Sequence, residues 1–425
     1  MIDIKLVREN PKLVKDNIKK KFQDEKVKLV DEVLKLDKSW RELKYKEDAL
    51  RADRNKISKS ISELKKQKKS AAKEIKLAKE IPGKIEKIQI KRKKFEVEIK
   101  KILCKIPNII DKSVPSGKDE TKNKVLKKFG VTEKRKVKNH AEIGEELGVM
   151  NFDNSADTSG SGFYFLKGDL ALLNMALINY ARDFITKKGF TYVEPPLMIR
   201  KDVLDGVMTF EEIEQMAYKI EGEDLYLIAT SEHPLIGQFI NKTIRSKDLP
   251  ILETAYSMCF RKEIGSHGID EKGIFRTHQF NKQEMVVICE PSESQNWFKK
   301  MFDYSVELFK SLEIPFRVLE ICSGDLGDLK SKQYDLEAYS PRKNDYFEIT
   351  SLSNLTDAQA RRLGIRVQGK KERYFAHTLN NTVIATSRAM IAIIENNQQK
   401  DGSIKIPKVL VPYMDGKKEI KAKKK

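Results

Sequence analysis

The sequence predicts an α+β protein: an N-terminal antiparallel α-helical coiled-coil hairpin, then an antiparallel β-sheet domain flanked by helices. Three observations carry this. Apolar residues recur every seven positions through residues 29–64 and again through 81–102, the period of a coiled-coil seam. Beyond residue 190 the pattern changes to short runs rich in β-formers, such as Tyr256, Met258 and Phe260, which read as strands. At 425 residues with 40% hydrophobic residues, the chain is too long for one ordinary core, and two or three domains are expected.

Residues 11–21 carry a short helical pattern, and the first seam follows. Leu29, Leu36, Leu43, Leu50, Ile57 and Leu64 hold one row, with Val33, Trp40 and Ile61 on the interleaved row beside Glu47 and Arg54. Polar seam positions weaken a coiled coil but fix its register. Ile81, Ile88, Phe95 and Ile102 hold the second seam, with Ala71, Ala78, Ile85 and Ile99 interleaved. Lys65–Ala71 between them is fit for a turn, so two helices of about 50 Å each, at about 1.5 Å per residue, fold back on one another. Pro82–Gly83 predicts a kink in the second helix. Such a seam equally describes a dimerising coiled coil with a solvated basic face. A hairpin closes its own seam and leaves its lysines free for phosphates.

Pro107, Pro115, Gly117 and Gly160 mark loops, so residues 106–160 read as a linker between an arm, 1–105, and a globular domain, 161–425. A helix ending at Gly189 and a strand at Phe190–Val193 open that domain. Leu225–Ala229 is a short strand running into Thr230, Ser231 and Glu232, whose hydroxyl and carboxylate groups suit an ammonium ligand or, equally, a helix cap. Phe260 to Glu284 reads as a hairpin with a long mobile tip carrying Gly265, Gly268, Asp270 and Gly273. Arg261, Glu263, Phe280 and Glu284 fall where strand side chains can converge, and Arg276 sits near the other end of the tip. Guanidinium groups fork onto phosphate or carboxylate, an aromatic ring can stack on a purine, and carboxylates can hold an amino group. A charged surface hairpin would look much the same. Further strands fall at 315–323 and 345–351, with Glu348 and Ser351 spaced to hold a hydrated magnesium ion. Val383–Thr386 reads as a strand, and Arg388 opens an amphipathic helix whose start favours anions.

Net charge of +20 and a pI near 9.4 point to an acidic partner such as nucleic acid. Residues 1–100 hold 32 basic and 18 acidic residues, most of that excess. Cys104, Cys259, Cys289 and Cys322 form no C-x-x-C pair, which argues for reduced thiols in a cytoplasmic protein and against a cysteine zinc site. No apolar run approaches a membrane span, and the N-terminus is unlike a signal peptide.

Several stretches together resemble the seryl-tRNA synthetase family of class II aminoacyl-tRNA synthetases. FR-x-E, GS-x-G, G-x-x-R, HQF and a Glu four residues after that Phe follow in order through Phe260–Glu284, like motif 2. IPN at Ile106–Asn108, GKDE at Gly117–Glu120, TSE at Thr230–Glu232, YDLE at Tyr334–Glu337, SLSN-x-TD-x-QARR at Ser351–Arg362 and ENNQQKDGSIKIP at Glu395–Pro407 are similar to the family too. The run Asn380–Arg388, NNTVIATSR, departs from the NGSGLAVGR of many bacterial members, and Thr382 stands where a substrate-contacting Ser often sits. The matches are to the zinc-free type.

The resemblance implies a class II synthetase sheet domain, in which serine is joined to ATP as seryl-adenylate and then passed to tRNA-Ser, with tRNA-Sec as a further acceptor. It implies that Arg261 holds the α-phosphate and the serine carboxylate, with Arg388 beside it in catalysis. Lys262, Glu263, Arg276, Phe280, Glu348, Ser351 and Arg388 would complete the ATP site, with Mg2+ on Glu348 and Ser351. Thr230, Ser231, Glu232, Glu284, Asn380 and Thr382 would bind serine. The arm would grip the long variable arm of tRNA-Ser, and the helix and strand before Pro195 would build a homodimer interface. Other readings are a ligase that charges a carrier protein, disfavoured by the long basic arm, and an inactive RNA-binding homologue.

Overall fold

The computed structural model describes residues 1–263 and 273–421. The hairpin tip expected at Gly265, Gly268 and Asp270 lies outside them. The chain divides into two compact units, Met1–Pro107 and Asn108–Lys425.

The first unit is the hairpin. Two short helices, α1 (Ile4–Glu9) and α2 (Pro11–Lys20), precede the long α3 (Lys28–Lys66) and α4 (Ala72–Lys105). The turn between α3 and α4 puts Lys68 at φ +55°. The heptad rows face inward, with Val33, Ile81, Ile85 and Ile102 buried. Glu47 is buried in the seam, where Arg51 Nη2 and Arg92 Nη1 meet its two oxygens at 2.9 Å each and Gln89 Nε2 donates at 3.0 Å. Arg92 and Gln89 come from α4, so one buried carboxylate fixes the register of both helices. Arg54, expected at the seam, is exposed. Its long side chain carries its charge to water rather than into the apolar row. The helix α4 continues through Pro82. Asp37, also buried, takes Arg8 and Arg41 and ties α1 to α3.

The second unit is built on an eight-stranded sheet. Its strands are β1 (Lys124–Phe129), β2 (Thr191–Tyr192), β3 (Ile251–Phe260), β4 (Gln279–Cys289), β5 (Phe316–Glu320), β6 (Lys332–Ser340), β7 (Asp345–Thr356) and β8 (His377–Ala385), in the spatial order β1-β5-β6-β7-β8-β4-β3-β2. Every pairing is antiparallel except β2 with β3. Within residues 106–160, where the sequence signals loops, β1 joins the sheet edge. Its side chains are exposed on both faces, so no alternation marks it, and Lys124, Lys127 and Lys128 protect the open edge from pairing. Helices α5 (Gly168–Thr186), α6 (Ser294–Ser311) and α7 (Thr386–Asn397) pack on one face of the sheet.

Strand alternation divides the two faces. On β4, Met285, Val287 and Cys289 enter the helix-packed core, while Val286 and Ile288 enter a second core beneath short helices at 201–207, 232–237 and 358–363. Phe280, Lys282 and Glu284 share that second face. All four cysteines are free thiols, and no helix among the described residues is long and apolar enough to cross a membrane.

Candidate active site

The face of the sheet opposite α5–α7 opens into a cavity of about 550 Å³. From β4 it receives Phe280 and Glu284, and from the residue after the end of β3 Arg261. Residues 263 and 276 add Glu263 and Arg276, β7 adds Glu348 and Ser351, β8 adds Asn380 and Thr382, and Arg388 enters from the first turn of α7. Thr230 and Glu232 close one end. The candidate residues thus converge, with two exceptions. Ser231 is fully buried and its hydroxyl donates to the Ala255 carbonyl at 2.9 Å. Lys262 does not line the cavity, and its N–H donates to the Met216 carbonyl at 3.0 Å. Neither lies on a strand: Ser231 sits in helical backbone just before the helix Glu232–Gly237, and Lys262 follows the end of β3.

Glu348 and Ser351 are three apart, which on a regular strand places them on opposite faces. A bulge resolves this. Leu336 is paired with Thr350 but Glu337 with Glu348, so Ile349 is the extra residue and Glu348 returns to the face of Ser351.

The cavity has two chemically distinct ends. At one, Glu232 Oε1 accepts from Gln359 Nε2 at 2.7 Å and from Asn380 Nδ2 at 2.8 Å. Gln359 is itself fixed by the Thr378 hydroxyl at 2.8 Å. Glu284 Oε1 accepts from Thr230 at 3.0 Å and Thr382 at 3.2 Å, and pairs with Lys282. Glu284 Oε2 is buried and takes no hydrogen bond from the described residues, an acceptor left for a ligand. Burial, with the Glu284 charge beside it, pushes the Glu232 carboxyl up to about 7.

At the other end lie the guanidinium groups. Arg388 Nη1 is 3.0 Å from Glu348 Oε2 and donates to the Glu348 carbonyl at 3.0 Å. Its guanidinium also covers the Phe275 ring at 4.9 Å. Burial raises the Glu348 carboxyl, but the adjacent Arg388 outweighs it and holds the group below its usual range. Asp335, across from Ser351, is pushed up to about 7 by burial and then by Glu348. Arg276 Nε faces Glu263 Oε2 at 3.6 Å. Arg261 lies over the Phe280 ring at 5.1 Å and reaches the Ala229 carbonyl at 3.4 Å.

Among the described residues no cluster of three acids, histidines or cysteines forms a metal cage. Glu348 and Ser351 on one face, with Asp335 opposite, fit a magnesium ion that keeps waters and bridges phosphates. Sequence reasoning did not assign Lys282, Gln359, Lys330 or Asp335. Lys282 carried a signal in being two residues from both Phe280 and Glu284 on a predicted strand, and Asp335 and Gln359 lie within the family-like stretches Tyr334–Glu337 and Ser351–Arg362.

A family model described as the seryl-tRNA synthetase N-terminal domain matches residues 1–110, and one for the class II tRNA synthetase core domain (G, H, P, S and T) matches residues 212–397. The chain is 44% identical to the serine–tRNA ligase of Methanocella arvoryzae over 98% of its own length and 99% of that protein. The chain belongs to the seryl-tRNA synthetase family. Among solved structures, it is similar to the Pyrococcus horikoshii seryl-tRNA synthetase complexed with ATP, with a TM-score of 0.93, 43% identity and complete coverage of both chains. The cytoplasmic serine–tRNA ligase of Naegleria fowleri in complex with AMP aligns with a TM-score of 0.89 at 34% identity, over 100% of this chain and 99% of that one. As a seryl-tRNA synthetase family member, the chain is a class II ligase whose reaction joins serine to tRNA.

Proposed function

We propose that the one cavity carries both steps of serine–tRNA ligation. The observation that supports this most is its division into an acid-and-hydroxyl end and an arginine end, both lined from the same face of the sheet. Serine binds with its ammonium group at Glu232 and Glu284, among Thr230, Asn380 and Thr382, and its carboxylate toward Arg261. ATP lies with adenine on Phe280, its amino group at Glu263, and its outer phosphates at Arg276 and Arg388.

The serine carboxylate oxygen attacks the α-phosphorus in line. A P–O bond forms, the bond to the β-phosphate oxygen breaks, and pyrophosphate leaves. The terminal adenosine hydroxyl of tRNA-Ser, or tRNA-Sec, then attacks the seryl carbonyl and AMP departs. The protein's contribution is positioning and fixed positive charge. Glu348 and Ser351 would hold Mg2+, which supplies charge neutralisation at the phosphates. The division into an RNA-binding arm (1–105), a connecting segment (106–160) and a catalytic domain (161–425) goes with this reading, the arm taking the long variable arm of tRNA-Ser.

The protein acts as a cytoplasmic homodimer in this reading. Leu172 and Met175 on α5, Tyr192 on β2, and Leu197 and Met198 beyond it are 39–49% exposed, and they lie on or beside the outermost strand of the sheet. Exposed apolar groups at a sheet edge suit a second copy.

Serine-dependent ATP–pyrophosphate exchange on the purified protein tests the first step. Exchange stopped by chelating divalent cations and restored by Mg2+ is the expected result, and no serine-dependent exchange would refute the reading. Charging of tRNA-Ser with and without residues 1–105 tests the arm, whose loss is expected to abolish charging while sparing exchange.

A further inference from the structure

The geometry points to His140 as a positioning residue for Arg276, an inference that rests on the ATP site proposed above. His140 opens a short helix, His140–Glu146, far in sequence from the cavity and fully buried. Its Nε2 accepts a hydrogen bond from the Ile274 N–H at 3.1 Å. That nitrogen is therefore unprotonated, and the ring proton sits on Nδ1. Nδ1 faces Glu395 Oε1 at 3.9 Å. Glu395 is itself buried and immobilised, since the Ser340 hydroxyl donates to its Oε2 and Arg342 Nε to its Oε1 at 3.3 Å. At that distance the pair is electrostatic and Nδ1 takes no hydrogen-bond partner among the described residues, so the Ile274 contact is what holds the ring.

The contact needs a glycine. A Cβ at Gly273 would stand 2.3 Å from His140 Nε2, and the backbone there has φ +155°. Gly273 thus lets the imidazole reach the next amide. Beyond Ile274 the chain is held at its far side too. The His278 N–H donates to the Gly162 carbonyl at 3.0 Å, and the His278 carbonyl accepts from the Arg261 N–H at 3.0 Å. Arg276 lies midway between these anchors. Its neighbour Phe275 packs against Phe347 at 5.8 Å and beneath Arg388. Ile274 enters the helix-packed core. His140 thus anchors the near end of the segment that presents a phosphate-facing arginine, while the Arg261 backbone meets its far end at His278. Among the described residues the donors to Glu232 and Glu284 come from Gln359, Asn380, Thr230 and Thr382, outside it.

This asymmetry separates positioning from mere packing. A histidine that only fills the core would, when lost, impair serine and ATP use together. We expect His140→Ala to raise the KM for ATP in pyrophosphate exchange by about tenfold or more, since small misplacements are amplified at a reacting centre. The KM for serine should stay within about twofold, because ground-state contacts to serine are untouched. His140→Gln, whose side-chain carbonyl can accept from the Ile274 N–H, should recover most of the loss. Hydrogen exchange over residues 273–278 should accelerate in His140→Ala and not in His140→Gln.

An unchanged KM for ATP in His140→Ala would overturn the proposal. So would a parallel rise of both KM values with a lowered Tm and no rescue by Gln, or unchanged amide protection. If the native protein shows no serine-dependent exchange, the reading of the reaction fails, and the amide measurement still decides whether His140 holds this segment.

Discussion

The two ends of the cavity solve opposite electrostatic problems. Around Glu232 and Glu284 the carboxylates are inside the protein, and amides and hydroxyls of Gln359, Asn380, Thr230 and Thr382 hold them. Around Arg276 and Arg388 the charges are partly exposed, at 49% and 22%, and each faces a carboxylate. The first end is preformed by neutral donors and the buried Lys282 ammonium, and its affinity depends on the ionisation of buried acids. The second is a set of ion pairs that an arriving phosphate must bridge or displace, and its affinity depends on screening. Discrimination of a small amino acid calls for the first arrangement, because a buried polar group left unpaired rejects analogues that cannot satisfy it.

The largest effect should come from the residue the two ends share. Arg261→Ala is expected to reduce pyrophosphate exchange by about a thousandfold, the scale of removing a fixed donor from a charge-developing centre. Retention of near-native exchange would break the division of labour altogether. Next, Glu284→Gln should raise the KM for serine by about a hundredfold, the scale of a charge-assisted hydrogen bond, and change the KM for ATP far less.

A pH profile sharpens the contrast. Glu232 titrates near 7, so its carboxylate, the form that pairs with an ammonium group, is lost as pH falls through that value. Serine binding should tighten as pH rises from 6 to 8 and should release a proton near pH 6, detectable by calorimetry in buffers of different ionisation heat. Glu232 has the converse effect on folding. An unfolded chain ionises it from about 4.5 upward and the folded one only near 7, so this group lowers stability as pH rises across that window. Gln359→Leu removes a donor that stabilises the ionised form. It should move the serine profile to higher pH and raise the KM for serine by about tenfold at pH 7. The smallest effect belongs to the phosphate end. Raising salt from about 0.05 to 0.5 M should weaken ATP use about two- to threefold and leave serine nearly unaffected.

Much of this was legible in the residues. The heptads of Leu29–Leu64 and Ile81–Ile102 announce α3 and α4 because a seven-residue period has few other meanings. Phe280 and Glu284 on one predicted strand, with arginines at either end of a hairpin, announce a site. The unread parts depend on long-range registration. Gln359 is 127 residues from the Glu232 it fixes, and His140 is 134 from Ile274; neither type nor local spacing marks them. The strand β1 was read as loop because a strand exposed on both faces has no alternation to detect. Ser231 and Lys262 stand in the sequence beside residues that line the cavity, but each sits where the chain leaves one element for the next, and the local backbone there turns its side chain aside.

The bulge at Ile349 has a consequence for how this chain can vary. The extra residue is what lets a spacing of three serve one face. Straightening the strand at its present length would turn Glu348 toward the helices, whereas deleting Ile349 would remove the bulge and leave Glu348 two residues from Ser351, still facing the cavity. Length and pleating can therefore change together at this point, and a change in one without the other would cost the carboxylate its place.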